Sequence, residues 1–304
     1  MGARMYPPGI IVRPNSGPNT GNRPRINFIQ GANITIVCAD DPADDEIEIV
    51  ISCAGCGATS LPAGYVQGAK FARTGAAQVQ AGTAAATSYL KDALNTYNIQ
   101  FVGLLTANMP ADLDAGAEAA STWYAVYVIA DSAAVNPTKL LYSTNFVSPA
   151  LPGGYDKYRR VGSVYNDAGS NFLDFVCHGE GILRRYRYYE TRSNTQILNS
   201  GNSTSIVDVT VVFIPPTSRE VYLSYEFYNT QNDNHRAIVL PKGSPESLYS
   251  SYITTKSNAD GGLLENLEGS FFISTDTSQT IQYRVLTSTS DSLSLYVIGF
   301  FEEL

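Results

Sequence analysis

The sequence predicts a mainly β protein, and three features of its 304 residues support this prediction. Short segments in which apolar and polar residues alternate are separated by clusters of turn-forming residues, a pattern typical of antiparallel strands. Glycine and proline are frequent (25 and 15 residues), and few long segments repeat with the period of a helix. Only 16% of the residues are charged. We therefore expect an N-terminal extended arm and a β-hairpin, followed by two antiparallel β-sandwich-like domains.

The first element is an arm over residues 1–25. Five prolines stand there among glycines and asparagines, and such a segment forms neither a helix nor a central strand. Its composition fits a flexible tail or an arm that becomes ordered on a neighbouring protein. The short apolar strip of Ile10, Ile11 and Val12 favours the second interpretation, a docking arm.

The second element, over residues 26–62, contains two alternating segments around an acidic turn. Ile34 and Ile36 fall on one face of the first segment, and Ile47, Ile49 and Ile51 fall on one face of the second. An isolated two-stranded hairpin is marginal in water, so these isoleucines need a partner surface. We predict that they form an oligomer interface with copies of the same hairpin from other subunits.

The third element, over residues 63–180, carries four motifs in a distinctive order: a Trp-Tyr strand from residue 123, Leu-Leu-Tyr-Ser-Thr from 140, Pro-Ala-Leu-Pro-Gly-Gly-Tyr from 149 and Arg-Arg-Val-Gly from 159. This combination resembles a domain of tail fibres and other virion appendages of tailed bacteriophages. The hairpin region, with Ile-Asn-Phe-Ile from residue 26 and Asp-Asp-Pro from 40, resembles a segment near the N-termini of such proteins. Together the two resemblances cover about residues 23–176.

The resemblance implies a homotrimer that docks on other virion proteins (capsid, tail or baseplate) through its N-terminal arm. It also resolves a local ambiguity over residues 79–101. Leu90, Ala93, Leu94 and Tyr97 have helical spacing, whereas the fibre pattern implies strands with a loop or a single turn near 86–94. We therefore expect strands on both sides of that loop.

The fourth element, residues 181–304, alternates cleanly and predicts a β-sandwich. The alternating segments lie at 207–213, 221–227, 281–285 and 293–297. The segment 296–301 is apolar on both faces, which indicates a central strand or a subunit interface. In the run Arg-Arg-Tyr-Arg-Tyr-Tyr from residue 184, a strand would divide the arginines between two faces. Cation–π and interface packing are therefore favoured over nucleic-acid binding.

Candidate catalytic and metal-binding residues form no recognisable constellation. Cys53 and Cys56 form a C-x-x-C pair with Cys38 upstream and Cys177 distant; free or incidentally bridged thiols, an intersubunit metal or disulfide, and a redox role stay open. The acidic residues 40–46 lack the spacing of an EF-hand, so a solvated turn is preferred over a calcium site.

Enzymatic function is not indicated by the remaining polar residues. Four carboxylates lie on or near predicted strands, but alternation alone brings no pair of them together as glycoside hydrolysis requires; these are Glu180, Glu190, Glu226 and Asp208. His178 has no nucleophile in a recognisable context. We predict no enzymatic activity and no cofactor.

The composition suits a virion protein made in the host cytoplasm. The net charge of −8 argues against nucleic acid or an anionic membrane as the main partner, and no apolar stretch is long enough to span a bilayer. We expect a trimeric fibre or short spike that presents its β-domains to a host-surface polysaccharide or protein. The alternatives are a capsid decoration protein and, more weakly, a polysaccharide depolymerase.

Overall fold

The computed structural model describes residues 34–41, 46–53, 61–179, 181–229, 234–245, 252–256, 265–286 and 291–304. The chain divides into two compact units, residues 1–60 and residues 61–304. The described residues are mainly β and form several antiparallel sheets, which confirms the predicted fold class. Trimeric assembly and the N-terminal arm stay predictions.

The first unit contains an antiparallel hairpin. Its strands are β1 (Ile34–Asp41) and β2 (Glu46–Cys53). The register places Ile36 opposite Ile51 and Cys38 opposite Ile49, which confirms the two predicted strands. The strip formed by Ile10, Ile11 and Val12 and the turn at 42–45 lie outside the described residues. The proposed interface isoleucines stay a prediction.

Two antiparallel sheets are built from residues 61–166. The strands of the first sheet are β3 (Val66–Gln67), β4 (Phe71–Gly75), β5 (Gln78–Lys91) and β6 (Asn98–Asn108). The strand β5 is central in this sheet, with β6 on one side and β3 and β4 on the other. The second sheet consists of β7 (Thr122–Ala130), β8 (Lys139–Ser143) and β9 (Lys157–Asn166), with β7 in the middle.

Ten further strands and a short 3-10 helix (Arg192–Thr195) follow. The strands are β10 (Phe175–His178), β11 (Leu183–Tyr188), β12 (Gln196–Gly201), β13 (Val207–Thr210), β14 (Glu220–Asn229), β15 (Asn234–Pro241), β16 (Tyr252–Lys256), β17 (Glu265–Ser274), β18 (Thr280–Val285) and β19 (Asp291–Glu303). A six-stranded sheet has the order β10-β11-β19-β14-β17, and β12 also pairs with β19. A four-stranded sheet has the order β13-β18-β15-β16.

A continuous hydrophobic core extends through residues 61–304 and includes buried side chains from both sides of the boundary expected at residue 180. Its centre is aromatic. Tyr186 stacks on Phe300 with ring centroids 4.3 Å apart, and it contacts Phe175 and Phe71. Phe71 in turn lies against Gly162, where an added Cβ would overlap the phenyl ring. These rings connect the sheet of β3–β6 to the six-stranded sheet.

The loop after β8 covers the outer face of the β7–β9 sheet. Tyr127, Ile129 and Leu141 of that sheet pack against Leu151 and Tyr155 of the loop. The Leu-Pro-Gly-Gly-Tyr segment identified in the sequence is therefore the cover of a small second core. Burying this face under the loop removes apolar surface from water.

Two sequence expectations need correction. The strand β5 continues to Lys91, so the loop expected at 86–94 lies at 92–97 instead. Asp92 organises this turn, because its Oδ1 accepts hydrogen bonds from the backbone amides of Thr96 and Tyr97 at 2.6 Å each. Of the alternating segment 207–213, only Val207–Thr210 forms a strand. Val211 is buried, and a turn follows it at residues 212–213.

A buried carboxylate joins several elements of the second unit. Glu302 on β19 is 1% exposed. Its Oε1 accepts hydrogen bonds from Ser163 Oγ at 2.6 Å and Thr217 Oγ1 at 2.8 Å, and it lies 3.3 Å from the Arg160 guanidinium. Ser163 and Arg160 belong to β9, so this one side chain links the β7–β9 sheet to the six-stranded sheet.

Removing this carboxylate should destabilise the second unit. In Glu302→Ala the guanidinium of Arg160 and two hydroxyl groups lose their partner in the interior, and breaking a buried pair in this way costs about 3–5 kcal/mol. Trp123 is the single tryptophan of the chain and its ring lies 5.5 Å from Phe300, so its fluorescence reports denaturant unfolding of this unit. The exposed neighbour Glu303→Ala should leave the midpoint unchanged; equal midpoints for both variants would contradict this role.

Candidate functional site

An arginine and aromatic surface covers one end of the outer face of the six-stranded sheet. It consists of Arg185, Arg187, Tyr222, Phe272 and Phe301, which come from β11, β14, β17 and β19. In each strand the neighbouring residues point into the core: Arg184, Tyr186, Val221, Leu223, Ile273 and Phe300 are all buried. Alternation therefore presents this set on the opposite face. Phe272 is 43% exposed, an unusual position for a phenylalanine.

The three rings form a continuous row. Tyr222 and Phe272 are cross-strand partners and stack with centroids 4.2 Å apart and an interplanar angle of 17°. Phe272 also lies 5.4 Å from Phe301 on β19. Cross-strand aromatic pairs stabilise a sheet by roughly 0.2–1 kcal/mol, so the row is held in place by the strand pairing beneath it.

Both arginines lie over these rings. The guanidinium carbon of Arg187 is 4.6 Å from the Tyr222 centroid, and that of Arg185 is 5.8 Å from Phe272 and 5.7 Å from Phe301. These distances allow cation–π attraction. Because the guanidinium groups are ordered by stacking, they lose less conformational freedom when they bind an oxygen ligand.

A glycine makes the contact of Arg187 with Tyr222 possible. Gly299 on β19 lies between them, since the register pairs it with Arg187 on one side and with Tyr222 on the other. Because Gly299 has no side chain, it does not separate Arg187 from Tyr222. An added Cβ would also overlap the backbone carbonyl of Tyr186. The position therefore requires glycine for close strand approach as well as for the ring contact.

The phenol of Tyr222 lies in a polar environment. Its hydroxyl is hydrogen bonded to Ser270 Oγ at 2.9 Å. This hydrogen bond and the nearby Arg187 lower the pKa of Tyr222 below its ordinary value. The hydroxyl pair adds donors and acceptors beside the aromatic row, so the surface offers flat rings, cations and hydroxyl groups together.

A second charged cluster lies farther along the same face. Arg192 pairs with Glu226 at 2.5 Å and with Glu268 at 2.8 Å, and these two hydrogen bonds, the one with Glu268 first, raise the pKa of Arg192. Its guanidinium carbon is 5.7 Å from the Tyr296 ring, and the Tyr296 hydroxyl donates to Glu226 Oε2 at 2.8 Å. This cluster holds one cation and two carboxylates, whereas the guanidinium groups of Arg185 and Arg187 lie over aromatic rings.

The sequence analysis predicted the division of the arginine-rich run correctly. Arg184 and Tyr186 are buried, while Arg185 and Tyr189 are exposed, and the predicted cation–π packing is confirmed. The partners Tyr222, Phe272 and Phe301 were missed. Alternation assigns each of them to one face of its own strand, but only the strand order and register bring them beside the arginines.

Three of the carboxylates considered in the sequence have hydrogen-bond or ion-pair partners in the structure. Glu190 accepts hydrogen bonds from the Asp174 amide and from Asn194. Glu226 pairs with Arg192 as described. Asp208 pairs with Lys242 at 2.8 Å, and this bond, followed by one from Gln282, lowers the pKa of Asp208. Glu180 lies outside the described residues.

The described residues contain neither a metal-binding cluster nor a membrane-spanning helix. Within the part of the chain that the structure describes, no three His, Cys, Asp or Glu side chains converge as a metal site would require. No helix among the described residues is long and apolar enough to cross a membrane. Cys56, Asp44 and Asp45 lie outside the described residues, and for Cys38 and Cys53 only the backbone of the hairpin is described.

Cys177 should be chemically unreactive in the folded protein. Burial raises the pKa of its thiol to about 12, so at pH 8 very little thiolate is present, and the thiolate is the reactive form. In a variant with Cys38, Cys53 and Cys56 replaced by serine, we expect Cys177 to react with a disulfide reagent at least about 100-fold more slowly than a model thiol of pKa about 8.5. Full reactivity should return in denaturant. Rapid reaction of the native protein would show that the thiol is accessible.

The chain matches no protein-family model and no curated protein. Among solved structures it is similar to a variant of the Cry1Da tryptic core from Bacillus thuringiensis, with 9% identity and a TM-score of 0.22. The match covers 77% of this chain and 50% of the other, so the chain spans about half the length of that protein. A likeness this weak carries no argument about fold or function.

Proposed function

We propose that the protein is a structural component of a tailed-phage virion, a trimeric fibre or short spike that attaches to a host-surface polysaccharide. The motifs over residues 23–176 support the virion assignment through their resemblance to phage appendage proteins. The arginine and aromatic surface supports attachment, since it places exposed rings and two oriented guanidinium groups on a rigid sheet. That surface is the single observation that carries the binding role.

The chemistry of the surface favours an anionic polysaccharide. Sugar rings present C–H faces that pack on aromatic side chains, and Tyr and Phe supply stiff contact area for this. The guanidinium groups of Arg185 and Arg187 have several N–H donors, suited to carboxylate or phosphate groups. Two carboxylates also lie on this face, Glu220 as the register partner of Phe301 and Glu303 two residues farther along β19, so we place the anionic group of the ligand on the side of Arg187 and Tyr222. The two glutamates farther along the face are paired with Arg192.

In this proposal the remaining segments assemble and anchor the molecule. The arm at residues 1–25 docks on another virion protein through Ile10, Ile11 and Val12. The hairpin isoleucines hold three subunits together. The β-sandwiches of the second unit lie farther from the particle and make the host contact.

Antibody labelling of virions would test the location directly. We expect label on the tail, the baseplate or thin fibres. Label spread evenly over the capsid shell would favour the alternative of a decoration protein, and its absence from purified particles would contradict both assignments.

The polysaccharide site can be tested with purified protein on sensors coated with polygalacturonate or with neutral dextran. We expect binding to polygalacturonate, and a loss of at least about tenfold in affinity for the double variant Arg185→Ala/Arg187→Ala, because two charge-assisted contacts of about 1 kcal/mol or more are removed. The control Arg219→Ala/Lys242→Ala removes the same charge elsewhere on the surface. If both double variants lose the same affinity for polygalacturonate, the loss is explained by net charge alone, and a specific site is contradicted.

The assembly role of the hairpin gives a separate prediction. Replacing Ile47 and Ile49 by aspartate would place unpaired charges in the proposed interface, which costs several kcal/mol per subunit. Light scattering after size-exclusion chromatography should give a trimer for the wild type and a monomer for this variant. A wild-type protein that is monomeric at micromolar concentration would contradict the interface.

A further inference from the structure

The second unit also contains a cleft with polar and aromatic lining. None of the residues that line it belongs to the arginine and aromatic surface. Its volume is about 320 Å³, and its lining includes Ser121, Tyr165, Asp167, Leu173, Asn194 and Phe213. Three of these residues come from β9 and the loop after it, one from the loop before β7, one from the short 3-10 helix and one from the turn after β13. The cleft is therefore formed by residues from both sides of residue 180.

One wall of the cleft is aromatic and firmly supported. The rings of Tyr165 and Phe213 meet edge to face, with centroids 5.4 Å apart. Tyr165 also packs on Trp123 at 5.3 Å, and Trp123 Nε1 donates a hydrogen bond to the Val212 carbonyl at 2.9 Å. The wall is thus connected to the main core and to the turn that carries Phe213.

The opposite side presents polar groups with remaining hydrogen-bonding capacity. Asp167 Oδ1 accepts hydrogen bonds from the amides of Gly169 at 2.8 Å and Asn171 at 2.9 Å, which shapes the turn. Among the described residues, none donates to its Oδ2. Asn194 is oriented by donating from Nδ2 to Glu190 Oε2 at 2.9 Å, and its Oδ1 has no donor among the described residues. Ser121 adds an exposed hydroxyl.

We propose that this cleft binds one neutral sugar ring of a glycan. A carboxylate, an amide and a hydroxyl group that converge beside an aromatic wall match a ring with neighbouring hydroxyl groups and a C–H face. Its volume lies at the lower end of the roughly 300–1,000 Å³ of small-molecule sites, which suits a single ring. No described cation pairs with Asp167, so its negative charge disfavours a sugar acid.

This inference goes beyond the attachment role and does not depend on it. The arginine and aromatic surface selects anionic groups, whereas the cleft selects neutral hydroxyl groups. The two proposed sites therefore bind ligands of different charge through different residues. An experiment can contradict one site without contradicting the other.

Saturation-transfer NMR on the full chain tests the cleft with methyl glycosides of glucose, galactose and mannose, with N-acetylglucosamine, with glucuronate and with choline. We expect at least one neutral sugar to give a signal, with glucuronate silent. Asp167→Asn keeps an oxygen for the turn but replaces the Oδ2 acceptor by a donor, and Asn194→Ala removes the amide. Each should weaken binding at least about tenfold, with the unfolding midpoint unchanged.

Ser193→Ala is the matched control, since Ser193 stands on the same short helix and is not part of the lining. It should bind as the wild type does. The proposal is overturned if no neutral sugar binds, if the two cleft variants bind as tightly as the control, or if choline binds in a manner that depends on Asp167, which would assign the cleft to a cation. Loss of polygalacturonate binding in the arginine variants, with sugar binding in the cleft intact, separates the two sites.

Discussion

The second unit depends on one strand that is paired along both edges. The strand β19 pairs with β11 and β12 along one edge and with β14 along the other. Its inward side chains Leu293, Leu295, Val297 and Phe300 are almost fully buried. Its C-terminal part also carries the buried Glu302, whose Oε1 accepts hydrogen bonds from Ser163 on β9 and from Thr217. Without this strand the six-stranded sheet would lose the partner that joins β11 and β12 to β14.

The candidate surface is a consequence of the same strand. A bulge between the partners of Tyr222 and Leu223 shifts the register of β19 against β14. It leaves Gly299 opposite both Arg187 and Tyr222, and Phe301 beside Phe272. A shift by one residue would instead exchange the inner and outer faces of the strand. The packing that buries Phe300 therefore also determines which aromatic rings face outward next to the arginines.

Much of the fold could be predicted from the sequence because period-two alternation is a local property. It assigned β14, β18 and β19 to strands and divided Arg184 from Arg185. The segment 296–301 was apolar on both faces, and it is a central strand as predicted. The loop at 92–97 was misplaced because Asp92 organises a turn by accepting backbone hydrogen bonds, a signal that alternation does not contain. The fibre resemblance had likewise placed the loop too early.

The sites were harder to predict, because they combine residues distant in the chain. Tyr222 reaches Arg187 only across β19, and the cleft brings Asp167 together with Asn194 and Phe213 across the boundary expected at residue 180. No local pattern contains the strand order that brings them together. The arginine-rich run did indicate that a surface existed, since strand geometry has to present Arg185 and Arg187 on one face. It did not indicate which rings would lie beneath them.

The chain is acidic overall, whereas the two charged members of its candidate surface are arginines. The net charge is −8, yet exposed charges more than about 8 Å apart are largely screened at physiological salt. A ligand on the outer face is therefore influenced mainly by groups within that distance. Stacking leaves the edges of a guanidinium group available as donors while the rings cover part of its face. In the function proposed above, recognition at this surface depends on planar packing and on oriented N–H groups, which is how an acidic protein would hold an anionic glycan there.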